Sequence, residues 1–425
     1  MRLLSALGFW VTLLLGFVSC KEDVDDVPPR IVITSPESDI AIIMPDTITV
    51  AGEVEDDKEL EFVNFGLVNQ DLVQAGPRIS VTSINNPLDF SLTLPVTDLD
   101  IETGPHFVEV FASDGNNDTR AYVEVQVTAI PREYQGLLFT QEQLGQEMAL
   151  ILREDGTLFT LYTGSNGILT TSNDRWNSIV ILDEENNSLS SYDADSGLEN
   201  WSIPSIIGSQ DEIIELKNDP YSRSSRVLTS VPSILNFNKD GLASATVSLD
   251  AEWSPLLMYI DPDHIWVASE TPSGYRVSQI FKASGFEVDF FIVPERPVQM
   301  ERLSTDELIL VDSNGDIRIL ETPTGGQYGI DTAAEPPVLD CIVAQGDVAY
   351  FITSEGLYRY SSSSFLAPLI YSGTDFHSLS YDDLGQRLVL SEGSSIGFYL
   401  LDPLQNAGSV DVGSAASELR VLFNK

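Results

Sequence analysis

The stretch "LILVDSNGDIRILE" (308–321) decides the fold of most of this chain. Its apolar residues form two short strand patterns, and the polar run between them contains Gly315, a turn residue. Similar stretches recur, such as "ILREDGTLFTLYT" (151–163) and "AYFITSEGLYRYSS" (349–362). Long helical periodicity is missing, so the sequence predicts an all-β protein.

The spacing of the turn glycines predicts the architecture of residues 131–425. Successive marks are 41, 44, 33, 41, 41 and 41 residues apart, at Gly156, Gly197, Gly241, Gly274, Gly315, Gly356 and Gly397. A period near 40 residues, with short apolar strands separated by polar turns, is typical of a β-propeller with four strands per blade. Seven marks predict seven blades; six or eight stay open because the 241 and 274 marks are irregular. We expect "GLLFT" (136–140) and "ELRVLF" (418–423) to close the ring in one shared blade.

Residues 30–129 carry a different pattern, six or seven alternating strands in about 100 residues, the size of a β-sandwich. The clearest part is "HFVEVFASDGNNDTRAYVEVQVT" (106–128), two alternating strands around an Asp-Gly turn. It resembles the last hairpin of bacterial immunoglobulin-like (Ig-like) and cadherin-like modules. This resemblance implies an Ig-like sandwich, separated from the propeller by a short break at Pro131.

The N-terminal sequence predicts where the protein is located. Residues 1–20 carry one positive charge and an apolar run, which is typical of a secretory signal; an uncleaved membrane anchor is the alternative. "VSC" (18–20) resembles a bacterial lipobox, with Phe17 in place of the usual Leu, and this implies a lipid on Cys20. "KEDVDD" (21–26) resembles the export signal of Bacteroidetes surface lipoproteins, which implies that Lys21, Glu22 and Asp23 direct export.

The acidic segment 21–29 also fits a solvated tether. The resemblance implies an outer-membrane lipoprotein, anchored through its lipid and facing the cell exterior. The net charge of −43 argues against nucleic acid and anionic membrane surfaces as partners. The two cysteines are Cys20 and Cys341, so no disulfide joins two structural cysteines and a packed core must supply stability.

Catalytic motifs are weak. "GSSIG" (393–397) matches a nucleophile-elbow pattern, but strands surround it, so we expect a hairpin turn. "YDADSGLENWSI" (192–203) resembles the repeat of quinoprotein-like propellers, which implies that Trp201 docks between blades. A vicinal cysteine pair is absent from the sequence, and we predict no quinone or other organic cofactor.

Two weak ligand signals remain. Asp114, Asn116 and Asp118 alternate in "DGNND", and calcium is the metal that such hard oxygens suit, although Asp and Asn also dominate β-turns. Trp176 and Trp253 lie in polar stretches and are candidates for exposed, ligand-stacking aromatics, whereas Trp266 lies in an apolar strand and is expected to be buried.

These signals favour a non-enzymatic recognition or scaffolding module that docks a surface protein or glycan on the propeller, with the Ig-like domain as a spacer. The alternative is a glycan-active hydrolase or lyase, or an accessory to a surface glycan-uptake system. An enzyme would need carboxylates and arginines converging in the channel, and the candidate arginines are Arg175, Arg223, Arg226, Arg276 and Arg296.

Overall fold

The computed structural model describes most of the chain after residue 26. The described ranges are 27–82, 85–98, 101–165, 167–208, 211–222, 224–330, 337–344, 347–362 and 366–424. The chain divides into two compact units, Met1–Pro131 and Arg132–Lys425. Cys20 and the export residues Lys21, Glu22 and Asp23 lie outside the described residues.

The first unit is a β-sandwich of two sheets. Its strands are β1 (Arg30–Ser35), β2 (Ile40–Ile43), β3 (Asp46–Glu55), β4 (Phe62–Val68), β5 (Ile79–Val81), β6 (Leu88–Val96), β7 (Gly104–Ser113) and β8 (Asp118–Thr128). One sheet has the order β1-β3-β6 and the other β2-β8-β7-β4-β5. Alternate residues of both sheets, including Val50, Phe65, Leu94 and Val110, pack into a single apolar core.

The second unit consists of seven four-stranded antiparallel sheets in the described chain, which we number as blades 1 to 7. Blade 1 contains β9 (Tyr134–Gln143), β10 (Gln146–Arg153) and β11 (Leu158–Gly164). Blade 2 contains β12 (Ile168–Asn173), β13 (Ser178–Asp183), β14 (Ser188–Asp193) and β15 (Glu199–Ile203). Blade 3 contains β16 (Ile213–Asp219), β17 (Ser224–Thr229), β18 (Ser233–Asn238) and β19 (Ala243–Ser248).

The remaining blades repeat the same order. Blade 4 contains β20 (Ser254–Ile260), β21 (His264–Thr271), β22 (Gly274–Phe281) and β23 (Glu287–Val293). Blade 5 contains β24 (Pro297–Ser304), β25 (Glu307–Asp312), β26 (Ile317–Glu321) and β27 (Gln327–Gly329). Blade 6 contains β28 (Val338–Ala344), β29 (Val348–Thr353), β30 (Gly356–Ser361) and β31 (Leu369–Ser372). Blade 7 contains β32 (Phe376–Asp382), β33 (Arg387–Glu392), β34 (Ser395–Leu401) and β35 (Leu404–Asp411).

The last strand, β36 (Ala416–Phe423), closes the ring. It pairs antiparallel with β9, and Val421 lies opposite Leu137, so the two ends of the unit share blade 1 as predicted. The inner strands of neighbouring blades contact one another in sequence from β12 to β36, and β36 contacts β12. Seven apolar clusters fill the seven blade interfaces, including one between blades 7 and 1 that joins Leu137 to Val389. The fold is therefore a closed seven-bladed propeller, which confirms the predicted fold class and blade count.

The structure also explains the irregular spacing of the glycine marks. Gly156, Gly197 and Gly241 lie in the turn between the third and fourth strands of their blades. Gly315 lies in the turn between the second and third strands, and Gly274 and Gly356 begin the third strand directly after that turn. The step of 33 residues marks this change of turn. The prediction of a turn at Gly397 is wrong: Gly397 lies inside β34, and the turn glycine there is Gly393, with φ of +56°.

Helical structure is almost absent, since the described chain contains a single 3-10 turn, Asp174–Trp176. Within the residues described above, no helix has the length and apolar character needed to cross a bilayer. "GSSIG" forms a strand–turn–strand hairpin between β33 and β34, as expected, so Ser395 does not occupy a nucleophile elbow.

Candidate functional site in the propeller

One position near the start of each inner strand carries a polar side chain in five of the seven blades. This position directly follows a β-bulge, or lies within one, in every blade except blade 2. These seven residues, here called the bulge position, are Glu418, Leu169, Glu215, Leu257, Gln299, Asp340 and Ser378. The next residue along each strand is buried in all seven blades, and the one after that faces the channel side again.

Most bulge-position side chains bond the next blade. The Glu418 carboxylate accepts the Thr170 N–H at 3.1 Å, and the Glu215 carboxylate accepts the Met258 N–H at 2.5 Å. Asp340 does the same across the blade 6–7 interface, accepting the Leu379 N–H at 2.8 Å. These carboxylates satisfy backbone donors that face the next blade, so they act as clasps between neighbouring inner strands.

Gln299 and Ser378 make the corresponding contacts from blades 5 and 7. The amide of Gln299 donates to the Cys341 carbonyl at 2.9 Å and to Asp340 at 2.7 Å. The Ser378 hydroxyl accepts the Leu419 N–H at 3.2 Å, which links blade 7 to blade 1. Leu occupies the bulge position of blades 2 and 4, and the Thr171 hydroxyl of blade 2 instead accepts the Asn218 N–H at 3.0 Å.

A cavity of about 370 Å³ lies among the inner strands. Its charged lining residues are Glu215, Lys217, Asp340, Glu418 and Arg420. Lys217 pairs with Glu215 at 3.2 Å, and the Arg420 guanidinium donates to the Thr170 carbonyl at 3.0 Å. The structure thus brings carboxylates and bases together in the channel, but through residues that the sequence did not single out.

Glu301 lies on β24 two residues after Gln299 and is not among the residues that line the cavity. Burial raises its pKa to about 7, and the charges of Asp340 and Glu215 add to the effect, while Lys217 and Arg420 oppose it. Burial also raises the pKa values of Asp340 and Glu418, although both accept hydrogen bonds from the next blade. Glu301 can therefore gain or lose a proton near neutral pH.

The chemistry available here is narrow. Glycoside hydrolysis with two acidic groups needs a second carboxyl that is free to act on substrate. Glu215, Asp340 and Glu418 already bind backbone N–H groups of neighbouring blades. Among the described residues, Glu301 accepts no such hydrogen bond, and these three carboxylates near it are already bound.

The arginines named from the sequence do not assemble this site. Arg226 is buried in a double hydrogen bond with Asp219, 2.8 and 3.0 Å long, and Arg276 stacks on aromatic rings away from the cavity lining. Arg296 is exposed. Nothing is described of Arg223 or of the Arg175 side chain. None of the three whose side chains are described lines the cavity, where the basic residues are Lys217 and Arg420.

A second, open cavity of about 1160 Å³ lies beside blades 1, 2 and 7. Its bases are already engaged: Arg387 pairs with Asp382 at 2.7 Å, and Arg153 donates to the Ala194 carbonyl at 2.5 Å. Arg132 pairs with Asp383 at 2.6 Å. These contacts hold hairpins together and leave the groove without a convergent set of free groups.

The two candidate aromatics occupy different surroundings. Trp176 is half-buried in the 3-10 turn between β12 and β13, and Trp253 is half-buried just before β20. Because successive strands of a blade run in opposite directions, these two connections lie on opposite faces of the ring. The ring therefore does not join them in one ligand site, and each remains a separate prediction.

Trp201 and Trp266 have structural roles. The Trp201 ring packs on Gly241 of blade 3 and its indole N–H donates to the Lys239 carbonyl at 2.6 Å, so it docks between blades as the repeat implied. A side chain at Gly241 would collide with this ring, and φ there is +75°. Trp266 is fully buried, as expected, and donates to Asp261 at 2.7 Å.

The proposed calcium residues form the turn between β7 and β8. The Asp114 carboxylate accepts the backbone N–H groups of Asn116 and Asn117, both at 2.6 Å. Slight burial opposes ionisation, but these hydrogen bonds outweigh it and lower the pKa of Asp114. In the described part of the chain, no three His, Cys, Asp or Glu side chains gather in a way that would hold a metal ion. The turn accounts for Asp114, and calcium binding stays a prediction.

No protein-family model matches the chain, and no curated protein matches it. Among solved structures, a quinoprotein alcohol dehydrogenase-like protein from Bacteroides thetaiotaomicron is similar over 94% of this chain and 100% of its own, with 12% identity and a TM-score of 0.48. BamB from Moraxella catarrhalis covers 68% of this chain and 93% of its own, with 10% identity and a TM-score of 0.43.

A chain in a mitotic checkpoint complex structure covers 60% of this chain and 85% of its own, with 9% identity and a TM-score of 0.49. Similarities this distant carry no argument about function. The assignment of the propeller rests on the strand pairing and the seven blade interfaces of this chain itself.

Proposed function

We propose that this protein is a surface lipoprotein whose propeller is a non-enzymatic recognition or scaffolding module. Cys20 carries the lipid, Lys21, Glu22 and Asp23 direct export to the outside of the outer membrane, and the Ig-like sandwich acts as a spacer. The ligand is a protein or a glycan. The observation that supports the non-enzymatic part is that Glu215, Asp340 and Glu418, the described carboxylates lining the cavity, each accept a backbone N–H of the next blade and so serve as clasps.

The anchoring part is tested by expression with the native N-terminus in a Bacteroidetes host. A palmitate analogue should label the wild type and fail to label Cys20→Ala, which should leave the membrane fraction. If Cys20→Ala still labels, the anchor is elsewhere. Replacing Lys21, Glu22 and Asp23 with Ala should keep the label but protect the protein from protease added to intact cells; equal digestion of both forms would remove this export signal.

The recognition part is tested in the same cells. A photo-crosslinking amino acid is placed at exposed positions on different blades, such as Leu198 and Leu400, and the intact cells are irradiated. A recognition module should give position-specific adducts that disappear when Cys20→Ala removes the protein from the surface. Adducts that form equally at all positions, or none at any, would contradict it.

A second candidate function, a glycan-active enzyme, is favoured by one observation: Glu301 has a pKa of about 7 beside Lys217 and Arg420. The test is product formation from a panel of surface glycans by the wild type and by Glu301→Gln. An enzyme would lose at least about 100-fold of its rate in the variant, the usual contribution of a general acid or base. No product from the wild type, or equal product from both proteins, removes this candidate.

A further inference from the structure

The outer edge of blade 4 differs from every other outer strand in the described chain. Residues 286–292 expose four large apolar side chains, Phe286 at 76%, Val288 at 61%, Phe290 at 49% and Ile292 at 52%. No other outer strand of the propeller has more than two such residues among those described. Contiguous exposed apolar surface on a soluble domain marks an interaction site.

This surface is ordered by an aromatic–cation stack. The Arg276 guanidinium lies 4.4 Å from the Trp253 ring centre and 4.2 Å from the Phe290 ring centre, and it also pairs with Glu287. The strand register places Arg276 opposite Ile292 and Ser278 opposite Phe290, so these four side chains lie on one face of the blade, and a β-bulge at Val288 separates them from Phe286. The apolar side chains are therefore held on a rigid support. We call Trp253, Arg276, Phe286, Val288, Phe290 and Ile292 the blade-4 rim.

The charges near the rim are mainly negative. Residues 250–296 contain eight acidic and three basic side chains. Two of the bases are ion-paired and largely covered, Arg276 with Glu287 at 14% exposure and Lys282 with Asp219 at 11%. Asp289 is exposed within the apolar row itself. A partner that covers the row would meet the exposed Asp289 and this excess of negative charge, and would gain from carrying Lys or Arg.

The free edge of β23 is partly protected. The Phe290 N–H donates to the carboxylate of its neighbour Asp289 at 2.8 Å, and the Ile292 carbonyl accepts the Gln327 amide of blade 5 at 2.7 Å. Such local caps discourage the addition of another strand through its backbone. Recognition at this edge is therefore expected to depend on side chains.

We propose that the blade-4 rim docks an extended polypeptide segment of another protein, apolar at alternate residues and basic between them. This inference rests on the proposed recognition function and names its site and partner class. The exposed apolar side chains extend along residues 286–292 of this edge, roughly 20 Å, with a β-bulge at Val288 in their course, and an extended segment can follow an edge of this length. Aliphatic Val288 and Ile292 do not stack on sugar rings, which favours a polypeptide over a glycan. A second copy would bring the same charge of −43 to the interface.

The test uses residues 21–425, which lack the proposed lipid-bearing Cys20, and labelled ten-residue peptides in fluorescence anisotropy. A Lys–Val alternating peptide should bind. A Glu–Val peptide should fail because of repulsion, and a Lys–Ser peptide should fail because it has no apolar anchors. A peptide with the Val residues grouped at one end should bind about 10-fold more weakly, since its anchors no longer match the row.

Phe290→Asp sharpens the test, because it removes an anchor while adding attraction for a basic peptide. Binding should fall about 10-fold or more with unchanged melting, since Phe290 is half exposed. The matched control is Leu158→Asp on outer strand β11, where Leu158 is 42% exposed, and it should bind like the wild type.

Three outcomes overturn the proposal: equal binding of the Lys–Ser peptide, unchanged or tighter binding by Phe290→Asp, and a dimer in light scattering that Phe290→Asp dissociates, which would make the occupant a second copy. Failure here with crosslinks persisting at other blades in intact cells would overturn only the rim. Loss of all surface crosslinks would instead overturn the recognition function.

Discussion

The sandwich and the propeller solve the same packing problem in different ways. The sandwich buries one continuous apolar core between two sheets. The propeller divides its apolar residues into seven clusters, one for each blade interface, and leaves a polar channel at its centre. The propeller therefore depends on closure, because every blade buries its apolar residues against two neighbouring blades. The sandwich buries its apolar residues between its own two sheets.

Removal of the closing strand is expected to have the largest effect on the propeller. Deletion of 416–425 takes away β36, which is the inner strand of blade 1 and pairs with β9. The propeller transition should disappear from calorimetry because two interfaces lose their inner strands, while the sandwich transition persists. Deletion of 424–425 alone is the control and should keep both transitions. A truncated propeller that melts like the intact one would show that closure is dispensable.

Asp219→Ala should have the next largest effect. Asp219 is fully buried, pairs with Arg226 at 2.8 Å and accepts Lys282 of blade 4 at 2.9 Å, so its loss leaves two buried bases unpaired. We expect the free energy of unfolding of the propeller to fall by about 3–5 kcal/mol, with the sandwich unchanged.

Asp240→Ala is the matched control for that substitution. Asp240 pairs with Lys239 at 2.9 Å, but both side chains are more than half exposed. Its loss should change stability by about 1 kcal/mol or less. Equal effects of the two substitutions in denaturant titrations would contradict the structural weight given to Asp219.

Leu94→Ala tests the single core of the sandwich. Leu94 is fully buried on β6, and truncation should cost about 2–5 kcal/mol through lost burial and a residual cavity. Only the sandwich transition should move in calorimetry. A matching shift of the propeller transition would show that the two units unfold together.

Glu301→Gln should have the smallest effect and the clearest dependence on pH. Between its unfolded pKa and its folded value of about 7, the native state binds more protons than the unfolded state, so stability falls as pH rises through that window. The variant should therefore melt higher than the wild type at about pH 8 and nearly equally at about pH 5. Exposed Glu252→Gln should show no such difference. A lower melting temperature for Glu301→Gln at pH 8 would mean that the charged form is needed.

The candidate site was harder to predict than the fold. The glycines used to find the repeat mark the turn between the third and fourth strands up to Gly241, and the turn between the second and third strands from Gly274 to Gly356. Their spacing therefore does not align the inner strands of the blades. An alignment of "IELKND" (214–219), "VQMERLS" (298–304) and "VLDCIVA" (338–344) on their polar residues would have found the bulge position. The contacts themselves join residues about 40 or 250 positions apart, such as Asp340 with Leu379 and Glu418 with Thr170.

The strand and turn pattern, the seven repeats and the shared closing blade could all be predicted from the sequence, because strand alternation and turn residues act over a few positions. Three features depend on the tertiary structure: which carboxylates bond the next blade, which basic residues lie near Glu301, and which apolar side chains of β23 remain exposed. Those outcomes depend on which strand lies next to which and on how much water each group loses. Both are properties of the closed ring rather than of any single repeat.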